Sequence, residues 1–310
     1  MSTKNSRTLI AFSLAAVYFI WGSTYLALRF GLEGFPPFML NGIRFVVAGA
    51  MMYVVLRLRG SRSPNRRQWW NAARMGSLLL IGGVGLMTIA EDVGVGSGVA
   101  ATAAAAIPVW MALVSGAFGQ WPVRREWFGL AMGMLGVGVL LREGDFLAST
   151  AGMVLVIAGP ALWAFGSVWG KRLEMPEGFM APAAQLLTAG VAMLAASPFM
   201  GERIVEMPGI VAWSALAYLI VMGSIVAYTA YVYLLQSVRP MLASSYAYIN
   251  PVVAVFLGLT LGAEIITGPI FIALPLILAG VGLTATVRHK RGRTENHTTS
   301  RQRVPLREAA

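Results

Sequence analysis

Residues 244–253 read Ser244-Ser245-Tyr246-Ala247-Tyr248-Ile249-Asn250-Pro251-Val252-Val253, in the middle of a long apolar run. Two serines, two tyrosines and an Asn-Pro pair are poor filler for a purely apolar helix. Proline removes a backbone donor and frees the carbonyl one turn earlier, so a helix here is expected to bend. Inside a bilayer that carbonyl needs a partner, which neighbouring helices or a wet cavity supply. The device occurs once before: residues 102–109 read TAAAAIPV, and Pro108 lies 143 residues ahead of Pro251. The two stretches read as matching bent helices that face each other across a cavity.

The composition fits that picture. The 310 residues are 57% hydrophobic and 12% charged, with a mean hydropathy of +0.69. A soluble domain carries about twice that share of charge. Apolar runs near twenty residues recur along the chain, and about twenty helical residues span a bilayer. Ten spans are expected: 8–28, 37–58, 71–90, 98–118, 126–142, 151–170, 179–199, 210–235, 241–261 and 269–287. The first has Lys4 and Arg7 ahead of it in the manner of a signal peptide, but Trp21-Gly22-Ser23-Thr24-Tyr25 is too bulky for a good cleavage site. The chain has no cysteine, which excludes disulfides, a thiolate nucleophile and Cys-ligated metal.

The net charge of +11 is a topology signal. With the N-terminus inside, Lys4, Arg7, the six arginines between Arg57 and Arg74, Arg124, Arg125, Lys171, Arg172, Arg239 and the basic residues from Arg288 onward all fall on the cytoplasmic side. Only Arg29, Arg142 and Arg203 fall outside, and Arg44 lies within a span. The positive-inside rule then places both termini in the cytoplasm. Residues 289–310 read as a basic, disordered cytoplasmic tail whose neighbours are anionic lipid headgroups; no nucleic-acid partner is needed.

The two halves repeat. Gly22-Ser23 matches Gly166-Ser167 at a spacing of 144; Phe38-Met39 and Ala48-Gly49 match Phe179-Met180 and Ala189-Gly190 at 141. Gly82 matches Gly223 at 141, Pro108 matches Pro251 at 143, and Gly136-Val137-Gly138 matches Gly280-Val281-Gly282 at 144. Five spans per repeat is an odd number, so the second unit must enter the membrane upside down. Inverted repeats are a transporter architecture, with the site between the halves and rocking giving alternating access. The expected fold is therefore all-α and integral to the membrane, ten helices in two inverted repeats over 8–142 and 147–288.

Trp21-Gly22-Ser23-Thr24-Tyr25 in the first span, Arg44-Phe45 and Ala48-Gly49 in the second, and Ala247-Tyr248-Ile249-Asn250-Pro251-Val252 in the ninth carry a resemblance. Gly136 and Gly280, closing each half, add to it. Over residues 8–288 the chain resembles the EamA family of the drug/metabolite transporter superfamily. The resemblance implies a ten-helix carrier, usually an exporter of amino acids, related metabolites or drugs, with a cavity lined mainly by helices other than the fifth and tenth. Small relatives in that superfamily carry an embedded glutamate in the first helix for proton coupling; the first span here has no acid.

Several side chains stand out for chemistry. Arg44 lies about seven residues into its span, where an ionisable group marks function or snorkels to the headgroups. As a functional group it would hold a substrate carboxylate. Its counterpart in the second half is Gln185. Glu91 and Asp92 end the third span on the same side, so Glu91 pairs with Arg44 as a gate or latch, or both acids sit in water. Trp21, Thr24, Thr102, Trp163, Ser167, Tyr228, Tyr248 and Asn250 complete the candidate cavity lining, with Pro108 and Pro251 as kinks. Single mid-membrane aromatics and hydroxyls serve helix packing as readily as ligand contact. Trp69, Trp70, Trp121 and Trp127 read as interfacial belt residues. Gly129, Gly133 and Gly136 form a small-residue face for packing or for a homodimer. The glycines at 94, 96 and 98 follow no strand and bind no dinucleotide.

No enzyme constellation, metal cluster or cofactor site is visible: His289 and His297 both lie in the tail, and no phosphate loop exists. The expectation is a secondary-active exporter of small molecules in the inner membrane, monomeric or homodimeric. The alternatives are an importer or exchanger, or a sensor that binds without transporting.

Overall fold

The computed structural model describes residues 3–95, 103–140, 150–261 and 270–285. These are helical, with no strand among them. In chain order the helices are α1 (Thr3–Leu32), α2 (Pro37–Leu58), α3 (Arg66–Asp92), α4 (Ile107–Ala117) and α5 (Arg124–Leu140). Then come α6 (Thr150–Trp169), α7 (Met180–Ala196), α8 (Ile210–Ser237), α9 (Tyr246–Leu261) and α10 (Ile270–Ala285). Among the described residues six stretches are long and apolar enough to cross a membrane, namely Arg7–Leu32, Pro37–Leu58, Arg66–Asp92, Val154–Arg172, Met180–Met200 and Ile210–Ser237. The other four helices are shorter as described, and at least one flank of each adjoins or lies close to residues outside that set.

Local sequence sets the boundaries. Pro37 opens α2, where its missing N–H costs nothing. Asn65 and Gln68 cap α3 reciprocally, each side chain accepting from the other's backbone N–H. Gly60, Gly94 and Gly119 end α2, α3 and α4 in the left-handed conformation that glycine adopts without strain. Pro108 is the second residue of α4, and the helical ladder ahead of it, at 103–104, is interrupted by a turn at 105–106. On the Pro251 side the break lies upstream, at Ser244-Ser245, between the short turn Pro240–Ala243 and α9.

α3 and α8 each change ladder in the middle, to a π-helix over Ser77–Gly85 and Leu219–Tyr228. Such wider turns are rare and favour functional sites. Each contains a glycine on which a large side chain from another helix rests. A Cβ at Gly83 would lie 2.5 Å from Trp163, and one at Gly223 would lie 2.7 Å from the Arg44 guanidinium.

The packing comes in matched pairs. α1 packs on α9 as α6 packs on α4, and α1 meets the π segment of α8 as α6 meets that of α3. α2 packs along α7, and α5 along α10. The last two contacts are backbone-close. Cβ atoms built at Gly190 and Gly280 would lie 2.6 Å from the Val46 amide nitrogen and 2.7 Å from the Gly129 carbonyl oxygen. Gly129 thus faces α10, and Gly133 lies against the Tyr248 ring and α10, so this small-residue face is filled within the chain and is not free for a dimer.

Candidate functional site

Side chains from α1, α2, α3, α6, α8 and α9, with Ala104 and Ile107 at the start of α4, enclose a central cavity of about 100 Å³. Among the described residues, none of α5 or α10 lines it. On α1 the lining residues are Trp21, Thr24, Tyr25 and Leu28, the i, i+3, i+4, i+7 pattern of one helical face. Of the residues singled out from sequence, Trp21, Thr24, Arg44, Glu91, Trp163, Tyr228 and Asn250 meet here. Thr102 lies outside the described residues. Ser167 and Tyr248 do not line this cavity: Ser167 faces a second space described below. Tyr248 points to α5, its hydroxyl donating to the Leu130 carbonyl at 3.4 Å. Tyr246, two residues earlier and so on the other side of α9, takes the place expected for Tyr248.

Arg44 is 4% exposed. Its Nε donates to Ser224 at 2.7 Å and its Nη1 to the Asn41 side-chain oxygen at 3.5 Å, and the guanidinium lies 5.0 Å from the Phe45 ring centre. All three neighbours are neutral. The expected alternative of an Arg44–Glu91 latch does not form: both line the cavity, but the ion pairs among the described residues are Arg67–Glu174 and Arg239–Glu126. Glu91 Oε1 and Asn250 Oδ1 are buried without a donor. Asp92, by contrast, is exposed in a recess of about 730 Å³ at the end of the molecule that also carries Glu202. Asn41 and Thr88 tie α2 to α3, the Asn41 amide donating at 2.9 Å.

A band of aromatic side chains closes the cavity on the opposite side. Trp21 contacts Trp163, Tyr231 and Tyr246 at ring-centre distances of 5.4, 5.1 and 4.8 Å. Hydrogen bonds fix the band. Trp21 Nε1 donates to the Gly223 carbonyl at 3.2 Å, and Trp163 Nε1 donates to the Tyr231 hydroxyl at 2.9 Å. That hydroxyl also shares a proton with Ser167 at 2.7 Å, and Tyr228 donates to Gln185 at 2.6 Å. Ser167 and Gln185 line a vestibule of about 1200 Å³ that extends to Lys171 and Arg239. The band therefore lies between the central chamber and a wide, polar space at one end.

Phe45 and Ser224 join the site without having been singled out for it, while Tyr25 and Tyr246 come from the aromatic cluster of the expected cavity helices. The i+4 relation of Tyr25 to Trp21, and the place of Phe45 next to Arg44, are signals that the sequence does contain. Ser224 carries no such signal, because its role depends on Arg44 reaching across from another helix.

Long apolar helices, a largely apolar central cavity that holds Arg44, Glu91 and Asn250, and a two-copy sequence define an α-helical, multi-pass membrane protein of the transporter class. The sequence matches the EamA-like transporter family twice, over residues 8–142 and 150–286, and the chain belongs to that family. The "Uncharacterized inner membrane transporter YedA" of Escherichia coli (strain K12) is 43% identical over 271 residues, 87% of this chain and 89% of that one. The "Probable amino-acid metabolite efflux pump" of Salmonella typhimurium (strain LT2) is 25% identical over 189 residues, 59% of this chain and 60% of that one. A crystal structure superposes with a TM-score of 0.73 at 20% identity, over 90% of this chain and 97% of its own, which shows the shared fold. The family and these relatives are transporters and not enzymes, and the chain is a multi-pass protein of the inner membrane.

Proposed function

We propose that this chain is a secondary-active exporter of amino acids or closely related small metabolites, working by alternating access between two inverted five-helix halves. The observation that carries this reading is the unpaired cation in the central cavity. Arg44 is buried among neutral partners and lines a space walled by aromatic rings. A guanidinium so placed is suited to a carboxylate, which it binds through charge-assisted hydrogen bonds. Trp21, Trp163, Tyr25 and Tyr228 offer faces for an apolar or aromatic remainder.

The place of the vestibule supports this direction. It opens at the end bearing Lys171 and Arg239, the end that the distribution of basic residues assigns to the cytoplasm. An exporter loads from that side. The aromatic band is then the inner barrier that must part to admit substrate, and rocking of the halves exposes the chamber to the other side. The matched helix contacts and the paired π segments support the two-fold relation between the halves. Ion or substrate gradients supply the energy.

The test compares small molecules in the medium of cells overproducing the wild type or Asn250→Leu. A carboxylate-bearing compound enriched by the wild type alone is the expected result. An unchanged medium, with both proteins present in the membrane, refutes export and favours uptake or sensing.

A further inference from the structure

The cavity holds a second polar feature that a carboxylate-binding arginine does not use. Glu91, at the end of α3, presents Oε1 to the cavity with no donor among the described residues, and Asn250 on α9 presents Oδ1 in the same state. Buried acceptors are normally satisfied, so two orphans in one cavity ask for a missing donor. Tyr25 on α1 lines the same cavity. Three helices from both halves of the chain thus bring a carboxylate, an amide oxygen and a phenol to one cavity.

The donor set defines the missing group. An ionised carboxylate only accepts, and an amide oxygen only accepts, so the ligand must donate or be a cation. One carboxylate offers one negative charge, and the described residues contain no cluster of three acids, histidines or cysteines, which argues for a monovalent ligand. Oxygen ligands without imidazole or thiolate suit an alkali ion or an ammonium, not a transition metal. The neighbouring rings of Tyr25, Tyr246 and Trp21 favour a cation further. Arg44 does not neutralise the carboxylate, since the two form no ion pair.

We propose that Glu91, Asn250 and Tyr25 form a site for a monovalent cationic centre: the primary ammonium of a substrate or a sodium ion. The inference rests on the reading of this cavity as the transport site. With Arg44 on the same cavity, an ammonium there makes the cavity selective for zwitterions, while sodium there makes it the coupling site.

The test is thermal unfolding of the purified full-length protein, titrated at constant ionic strength with phenethylammonium chloride or sodium chloride against choline chloride. The wild type should show a saturable rise in Tm with phenethylammonium or with sodium, and none with choline. Phenethylammonium alone identifies a substrate ammonium; sodium alone identifies a free alkali ion. Glu91→Gln, which keeps the side-chain shape, should raise the half-saturating concentration by about tenfold or more, the equivalent of one lost charge-assisted contact. Asn250→Leu should weaken it also, so the result does not hang on one variant. Glu206→Gln, on an exposed loop, should behave as wild type. A wild type with no cation-specific rise, or one that Glu91→Gln leaves unchanged, overturns the site. A wild type that exports but shows no such rise overturns this inference alone; one that shows the rise but exports nothing overturns the transport reading alone.

Discussion

Replacing Arg44 by methionine separates a functional arginine from a structural one. The guanidinium makes one strong hydrogen bond, to Ser224 at 2.7 Å, and one at the limit of distance, to Asn41 at 3.5 Å. A charged bond of the first kind contributes about 1.5–3 kcal/mol, and the contact with the Phe45 ring about 0.5–2 kcal/mol. Against this stands the desolvation of a buried charge that no carboxylate offsets, of the order of 5 kcal/mol. The opposing terms leave Arg44→Met as stable as wild type or more stable by up to about 3 kcal/mol, a rise in Tm of up to about 6 °C. Transport should be lost. Ser224→Ala has the opposite sign, since it leaves the charge buried with its weaker partner, and should cost about 1–3 kcal/mol. Thermal unfolding followed by tryptophan fluorescence, with the export assay alongside, reads both quantities. A Tm for Arg44→Met several degrees below wild type would show that the guanidinium ties α2 to α8, and would refute the argument that it awaits a ligand.

Three further outcomes follow from the geometry. Tyr231→Phe removes the hydroxyl that holds both Trp163 and Ser167, so a single cysteine introduced at Thr24 should react faster with a small thiol reagent added from the vestibule side; the chain has no cysteine to interfere. An unchanged rate would mean that ring packing alone seals the band. Glu202→Ala should destabilise by about 2 kcal/mol, because its carboxylate accepts from the Phe38 and Met39 amides at 2.8 and 2.9 Å and from Ser197 at 2.7 Å, capping α2 from the far end of α7. Equal Tm values for variant and wild type would remove that role. Gly280→Ala places a Cβ 2.7 Å from the Gly129 carbonyl and 2.8 Å from the Gly133 nitrogen, both backbone atoms that cannot swing aside, and should lower stability by about 1–3 kcal/mol; a Tm at or above wild type would contradict the seam.

Sequence shows where the helices lie because a span is written in consecutive apolar residues, each contributing independently of the rest of the fold. The repeat was legible for a related reason: at Gly82 and its counterpart Gly223 an added Cβ would lie within 3 Å of a neighbouring side chain, so both positions call for glycine. What sequence hides depends on neighbours. The alanine run over 103–106 reads as unbroken helix, yet a turn interrupts it at 105–106 before α4 begins at Ile107, and alanines look alike on either side of a break. The π segments follow from a shift of backbone ladder that no residue type announces. Tyr246 and Tyr248 are equivalent in sequence and about 200° apart around α9, so choosing the cavity tyrosine required the rotation of that helix. Depth placed Arg44 and Glu91 in the same cavity but left their pairing open, because pairing depends on Ser224 reaching the guanidinium first.

The seams between α2 and α7 and between α5 and α10 share a geometric property. In each, a helix touches its own counterpart from the other copy of the repeat, and both contacts are glycine against backbone. If a two-fold operation relates the copies, a self-contact of this kind must straddle its axis. Two such contacts then fix a line through the molecule, and points on that line shift least when one half turns against the other. The seams can stay shut through a complete cycle while the aromatic band and the far wall of the chamber swing in opposite senses. In such a motion these backbone-close seams would be the fulcrum, and the glycines that look like mere filler in α5 and α10 would set the clearance of the bearing.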